Sequence, residues 1–232
     1  MARTKAVVFD CDGLLLDTEK LWTRGEKAIF AAYGREYTAE HRRLLFGTGV
    51  EDTGEILARV LDQPGREKEL IEELKELTWD EVAKGARPMP GAAELVAELR
   101  GELPLGIASN SPAALVKEAL ERAGLDGVFQ EIVGEEDVSR PKPDPEAYLL
   151  ACERLGADPR ASIALEDSPP GVAAARAAGL YVIGVPSESG VDLDADTVAD
   201  SLDDPAVRRA ITGTPAASDP RWSARRVEEN GR

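Results

Sequence analysis

Cysteine is scarce. Cys11 and Cys152 are the only two in 232 residues, which excludes a disulfide framework in a chain of this size and reads as two reduced thiols in a cytosolic protein. Long apolar runs are missing too. The opening stretch, MARTKAVVFDCDG, is too short in apolar residues for a signal peptide, and no segment reaches transmembrane length. A soluble, cytoplasmic protein is expected. Basic residues are outnumbered, 28 Lys and Arg against 44 Asp and Glu, and the formal net charge of −16 argues against nucleic acid and anionic membranes as partners. Histidine occurs once, at His41 in a charged helical stretch, where a surface role is expected rather than catalysis.

What is present suits one medium domain, or a core carrying a smaller insert, and 43% hydrophobic residues are enough for a buried core. Short apolar runs read as buried strands: Ala6–Phe9, Leu105–Ala108, Glu131–Val133, Ser162–Leu165 and Tyr181–Val185. Helical patterns separate them, at Ala92–Arg100, Ala113–Ala123, Pro145–Leu155 and Pro169–Ala178, with Gly124, Gly156 and Gly179 as stop signals. The alternation predicts an α/β fold, a doubly wound parallel sheet of Rossmann-like type covered on both faces. Ligands then bind beyond the carboxyl ends of the strands. Asp10, Ser109 and Asp167 each stand where such a strand ends, so polar groups from distant sequence converge on one rim.

One segment breaks the alternation. Between Thr18 and about Pro88 no strand is visible, and Leu21, Ile29, Phe30, Ile56, Leu57, Val60, Leu61, Leu70, Leu74 and Leu77 fall at helical spacing. This predicts a helical cap over residues 18–87, inserted into a core made of 1–17 and 88–211. A piece of this size is marginal alone and is expected to lean on the core. Residues 212–232 carry Pro, Ser, Ala and charges without periodicity and are expected to be disordered.

The chemistry concentrates in four places. Asp10 and Asp12 flank Cys11 and precede Gly13; two carboxylates in one tight turn are uncomfortable as a pair of anions, and a divalent cation or a proton relieves them. One can attack phosphorus while the other gives a proton to the leaving oxygen and takes one from water. Ser109 and Asn110 lead into a helix start, an anion-binding arrangement. Lys142 stands between Pro141 and Pro143 and can neutralise an attacked phosphoryl group. Glu166 and Asp167 end the fourth strand and can complete a hard-cation site; magnesium prefers such oxygen ligands.

In the order DxDG, Ser, Lys, Glu-Asp, the pattern resembles the haloacid dehalogenase superfamily, from Lys5 to about Val185. Within it the chain is most similar to the β-phosphoglucomutase-like phosphatases, through DCDGLLLDTE, RPKPDPEAYLLA and LEDSPPGVAAARAAG. The resemblance implies a magnesium-dependent phosphomonoester hydrolase working on a small phosphorylated metabolite through an aspartyl-phosphate. It makes Asp10 the nucleophile and a metal ligand, and Asp12 the general acid–base, with its backbone carbonyl on the metal. Ser109, the Asn110 N–H and Lys142 would bind the phosphoryl oxygens. Asp167 would be a direct metal ligand, Glu166 a support through metal-bound water, and Thr18 the hinge.

Other readings fit less well. A true dehalogenase or a phosphonatase would lack the second Asp. A phosphosugar mutase would carry a cap Arg and a His at positions that align with Val50 and Trp22. A signalling receiver shares the acceptor Asp but has no large insert and no acid–base partner. For specificity, Phe46–Val50 is the cap segment expected at the rim, with Gly47 allowing close approach, Thr48 offering a hydroxyl, and Trp22 a wall or stacking face. No cation lies in that loop, so a monophosphate with a neutral, moderately small remainder, a sugar or polyol phosphate in class, is the expected substrate, and the protein is expected to act as a monomer.

Overall fold

The computed structural model describes residues 4–45, 48, 50–187 and 190–213. Six parallel strands, β1 (Val7–Phe9), β2 (Leu105–Ala108), β3 (Glu131–Val133), β4 (Ile163–Glu166), β5 (Tyr181–Gly184) and β6 (Thr197–Val198), form one sheet in the order β3-β2-β1-β4-β5-β6. The expected doubly wound α/β core is present. β1 lies in the middle, with Val7 opposite both Leu105 and Ile163. Its residues Val7, Val8 and Phe9 are fully buried because helices cover both faces, as a continuous apolar run requires. The side chains alternate. Val7 and Phe9 join the cluster under α5 (Ala92–Leu99), α6 (Ala113–Arg122) and α9 (Pro205–Thr212). Val8 joins the opposite cluster, under α7 (Glu146–Arg154) and α8 (Pro169–Ala177).

The chain leaves β1 for β2 on one side, then crosses back to β4 on the other. The strand order therefore reverses beside β1, and a crevice opens there at the carboxyl ends. Asp10 follows β1, Ser109 follows β2, and Glu166–Asp167 end and follow β4, so the topology alone brings them to one place.

Four helices stand between β1 and α5: α1 (Glu19–Ala32), α2 (Ala39–Leu45), α3 (Val50–Val60) and α4 (Glu67–Ala83). They have an apolar cluster of their own, including Ile29, Phe30, Leu57, Leu61, Leu70 and Leu74. α1 and α4 approach closely at Gly25, where a Cβ would stand 2.3 Å from the Thr78 hydroxyl oxygen. The His41 ring packs on Phe30, with ring centroids 4.7 Å apart, a structural place rather than a catalytic one. Entry and exit from the helices run side by side: Asp17 N–H donates to Arg87 O (2.9 Å) and Met89 N–H to Leu15 O (2.8 Å). The helical unit also leans on the core, with Leu21 and Val82 in the main cluster and the Trp79 indole N–H donating to Glu118 (2.6 Å).

β6 was invisible to sequence reasoning because it is two residues long and not buried as a run. Thr212 closes α9; from 214 on, the segment expected to be disordered lies outside the described residues. No helix among the described residues is long and apolar enough to cross a membrane.

Candidate active site

Asp10 is fixed by the sheet itself: its backbone N–H donates to Leu165 O (3.0 Å), continuing the β1–β4 ladder one residue past the strand. The chain then turns at Gly13, whose φ of 86° suits glycine. The turn closes as Leu15 and Leu16 N–H both donate to Cys11 O (3.1 Å), while the Leu14–Leu16 side chains are buried. Cys11 is buried as well, and burial pushes its thiol up, so it fills space rather than reacting. The apolar run after the DxDG signature thus anchors the turn that presents both aspartates.

The two carboxylates line the same cavity but have separate partners. Asp10 Oδ1 accepts from Lys142 Nζ at 2.6 Å, whereas its Oδ2 is buried with no hydrogen-bond partner. Asp12 Oδ1 accepts from the Thr18 hydroxyl (2.6 Å) and the Trp22 indole N–H (3.4 Å). Its Oδ2 accepts from the Ser111 (2.7 Å) and Ser109 (3.2 Å) hydroxyls. Thr18 precedes α1 at the N-cap position, but its side chain does not cap the helix; it serves Asp12 instead.

Lys142 is the pivot. Its side chain is 3% exposed, and its ammonium also contacts Glu166 Oε1 at 2.5 Å. Glu166 is saturated with donors: the Tyr148 hydroxyl on Oε1 (2.7 Å), and Asp167 N–H (3.2 Å), Ser168 N–H (3.4 Å) and the Ser168 hydroxyl (3.2 Å) on Oε2. Such a carboxylate suits support of Lys142 better than direct ligation. Asn110 brackets the Lys142 backbone, its Oδ1 accepting from Lys142 N–H (2.9 Å) and its Nδ2 donating to Lys142 O (3.4 Å). Sequence reasoning gave Asn110 only a backbone role and missed Tyr148 altogether. Tyr148 is fully buried, its ring faces the ammonium 4.9 Å away, and nothing in a lone Tyr on an apolar helix face distinguishes it from core.

Burial pushes the Asp10 carboxyl well up; Lys142 opposes this, while Glu166, Asp167 and Asp12 add to it. For Lys142, burial favours the neutral amine, but Asp10 and Glu166 overcome it and hold the ammonium charged. Oxygens of Asp10, Glu166 and Asp167 lie within 4.8 Å of one another. Three carboxylates less one ammonium leave a formal charge of −2, and a divalent cation would balance it. The orphaned Asp10 Oδ2 and the all-oxygen donor set fit magnesium. The Asp12 side chain is outside this group, consistent with its turning toward hydroxyls.

Packing around Glu166 is tight. A Cβ on Gly171 would stand 2.0 Å from the Glu166 carboxyl, and that carboxyl is pinned by its donors. Gly171→Ala is therefore expected to displace Glu166 and cost roughly 1–3 kcal/mol, as for overpacking, with Lys142 losing its alignment. Thermal melts alongside rate measurements check this; unchanged values in both would mean that the Glu166 cradle is slack.

From the helical unit, Trp22 and Thr48 line the cavity. Thr48 differs in one respect: its hydroxyl donates to Leu45 O (2.9 Å) and meets that of Thr53 (2.7 Å), so it is engaged within its own loop. Gly47 lies outside the described residues. The absence of a cation from the loop does not make the wall free of cations, since Arg42 and Lys75 reach the cavity from helices, as does Glu26. Lys75 forms an ion pair with Glu135 of the core.

The chain matches the family described as haloacid dehalogenase-like hydrolase over residues 7–185. It is 34% identical over 179 residues to a phosphorylated carbohydrates phosphatase of Thermotoga maritima, covering 76% of this chain and 82% of that protein. It is 32% identical over 192 residues to hexitol phosphatase B of Escherichia coli, covering 78% and 83%. Among solved structures, CbbY from Rhodobacter sphaeroides in complex with phosphate superposes with a TM-score of 0.75 at 30% identity, covering 86% of this chain and 95% of that one. With the site assembled at the strand ends and the match spanning β1 to the end of β5, the chain belongs to the haloacid dehalogenase-like hydrolases.

Proposed function

We propose that this enzyme is a magnesium-dependent phosphomonoester hydrolase in which Asp10 is the nucleophile and Asp12 the general acid–base, acting on a sugar or polyol monophosphate. The observation that carries it is the pair of aspartates at the rim: buried Asp10, with Oδ2 unpartnered and Oδ1 on Lys142, beside half-buried Asp12 under hydroxyl donors. Asp10 attacks phosphorus as the ester P–O bond breaks, and Asp12 gives its proton to the departing oxygen. Water then attacks the aspartyl-phosphate, Asp12 takes the water proton, and phosphate leaves with the Asp10 carboxylate restored. Lys142 and Ser109 offset charge on the phosphoryl oxygens, and Glu166 and Tyr148 hold Lys142 in place. Asp10 and Asp167 would hold the magnesium ion, with the Asp12 carbonyl and Glu166 in support. When bound, it supplies charge neutralisation for an anionic carboxylate meeting an anionic phosphate.

The named relatives, which act on phosphorylated carbohydrates and hexitols, support the substrate class. Trp22, which takes the place of the mutase-type His, disfavours a mutase. The two free, buried thiols support a reducing, cytoplasmic setting, and a monomer is the working assembly.

Phosphate release from a panel of phosphorylated sugars and polyols tests the reading. Activity should vanish with chelator and return with magnesium. Because ligation needs the carboxylate form of Asp10, which burial disfavours, apparent magnesium affinity should increase as pH rises. Full turnover in chelator would sink the metal assignment.

A further inference from the structure

Glu26 is the one cavity-lining carboxylate on the α1 helix, and the catalytic steps make no use of it. It is 8% exposed within a largely apolar helical unit, where a carboxylate is costly unless something addresses it. Part of that cost is met. The Tyr37 hydroxyl donates to Oε2, and the Tyr37 ring is fixed edge-on against Phe30, with centroids 5.2 Å apart and planes at 88°. Arg42 adds a favourable charge and is itself tied to the Thr23 hydroxyl. Oε1, however, receives a hydrogen bond from no described residue. Glu26 shares the cavity with Asp10, Asp12 and Trp22, so this residue borders the space that the remainder of a substrate occupies when its phosphoryl group meets Asp10.

We propose that Glu26 is a specificity-determining residue, its unpaired Oε1 hydrogen-bonding a hydroxyl of a neutral, polyhydroxylated substrate remainder. The proposal rests on the phosphatase reading above and names what that site selects. Three chemistries compete for the position. A second phosphate would meet a carboxylate. The two cations of the wall do not offset this, because Arg42 is tied to the Thr23 hydroxyl and its charge acts on Glu26, and Lys75 is closed on Glu135. An ammonium is a donor only, and Arg42 already neutralises the charge that would attract it. A hydroxyl both donates and accepts. Burial pushes the Glu26 carboxyl up, with Tyr37 opposing, and a hydroxyl serves either protonation state.

The test compares wild type, Glu26→Leu and Glu26→Gln with magnesium on sorbitol 6-phosphate, phenyl phosphate and fructose 1,6-bisphosphate. Glu26→Leu should raise KM for sorbitol 6-phosphate by about tenfold or more, the usual worth of a hydrogen bond to a charged group. It should leave phenyl phosphate, which has no hydroxyl on its remainder, within about threefold. Glu26→Gln, which keeps an acceptor, should recover most of the loss. Equal losses on the monophosphates, no loss on either, or a bisphosphate preferred by wild type would each overturn the proposal. If Glu26→Leu does not fold, Glu26→Gln and Tyr37→Phe carry the test, since both should weaken sorbitol 6-phosphate selectively and by less. Intrinsic Trp fluorescence, to which Trp22 contributes, reads binding without turnover. Wild type that binds sorbitol 6-phosphate without hydrolysing it overturns the phosphatase reading and leaves Glu26 to be judged by the variants' Kd; wild type that does not bind it overturns the Glu26 proposal.

Discussion

Asp10→Asn should abolish turnover, by roughly 10⁴-fold or more on the scale of other nucleophile removals, and leave the fold intact. An amide does not attack phosphorus, and it removes one of the three negative charges that a divalent cation would balance. The fold should tolerate the change because Lys142 keeps Glu166 at 2.5 Å and the amide oxygen can still accept from its ammonium. Stability should shift in a defined direction. Asp10 is raised well above the ordinary carboxyl range, first by burial. A carboxyl raised in the folded state contributes stability below its unfolded value and loses it as pH rises through the folded one. Metal-free Asp10→Asn should therefore melt at or above wild type at neutral pH, with the advantage fading in acid. Phosphate release and melts in chelator across pH read both effects. A variant keeping a substantial fraction of wild-type rate would remove Asp10 from the chemistry.

Legibility in the sequence followed local pattern. β1, β2, β4 and β5 were visible because each is a short apolar run stopped by a polar or glycine residue, and the stopping residues Asp10, Ser109, Glu166 and Asp167 come together at the candidate site. The four-helix unit was visible as helical spacing without a strand. What was hidden depends on tertiary approach. Glu26, Arg42 and Lys75 look like an ordinary solvent face, and only the lean of the cap on the core turns them toward Asp10 and Asp12. The Asn110 side chain meets Lys142 across 32 positions, a separation no window spans. Gly171 reads as part of a Pro-Pro-Gly helix start, and its reason, the space taken by Glu166, appears only when β4 and α8 are placed together. The mutase and receiver alternatives were separable at the sequence level because each demanded a residue or a topology that the chain lacks.

Asp12→Asn should divide substrates by leaving group. The carboxyl is held at the cavity by Thr18, Trp22, Ser109 and Ser111, where it can reach an oxygen departing from phosphorus on Asp10. A sugar or polyol alkoxide is a poor leaving group and needs that proton in the transition state. An activated aryl phosphate, such as p-nitrophenyl phosphate, departs as a stable anion without it. Loss on the polyol phosphate should exceed loss on the aryl ester by about 10²–10⁴-fold, the usual contribution of general acid–base catalysis. The second step refines the prediction, since Asp12 also takes the proton from attacking water. The variant should then transfer the phosphoryl group from the aryl ester to Asp10 faster than it hydrolyses the aspartyl-phosphate, giving a burst of p-nitrophenol near one equivalent per enzyme before a slow steady state. Uniform loss on both substrates, with no burst, would assign Asp12 to shaping the Gly13 turn and its hydroxyl cluster instead of to proton transfer.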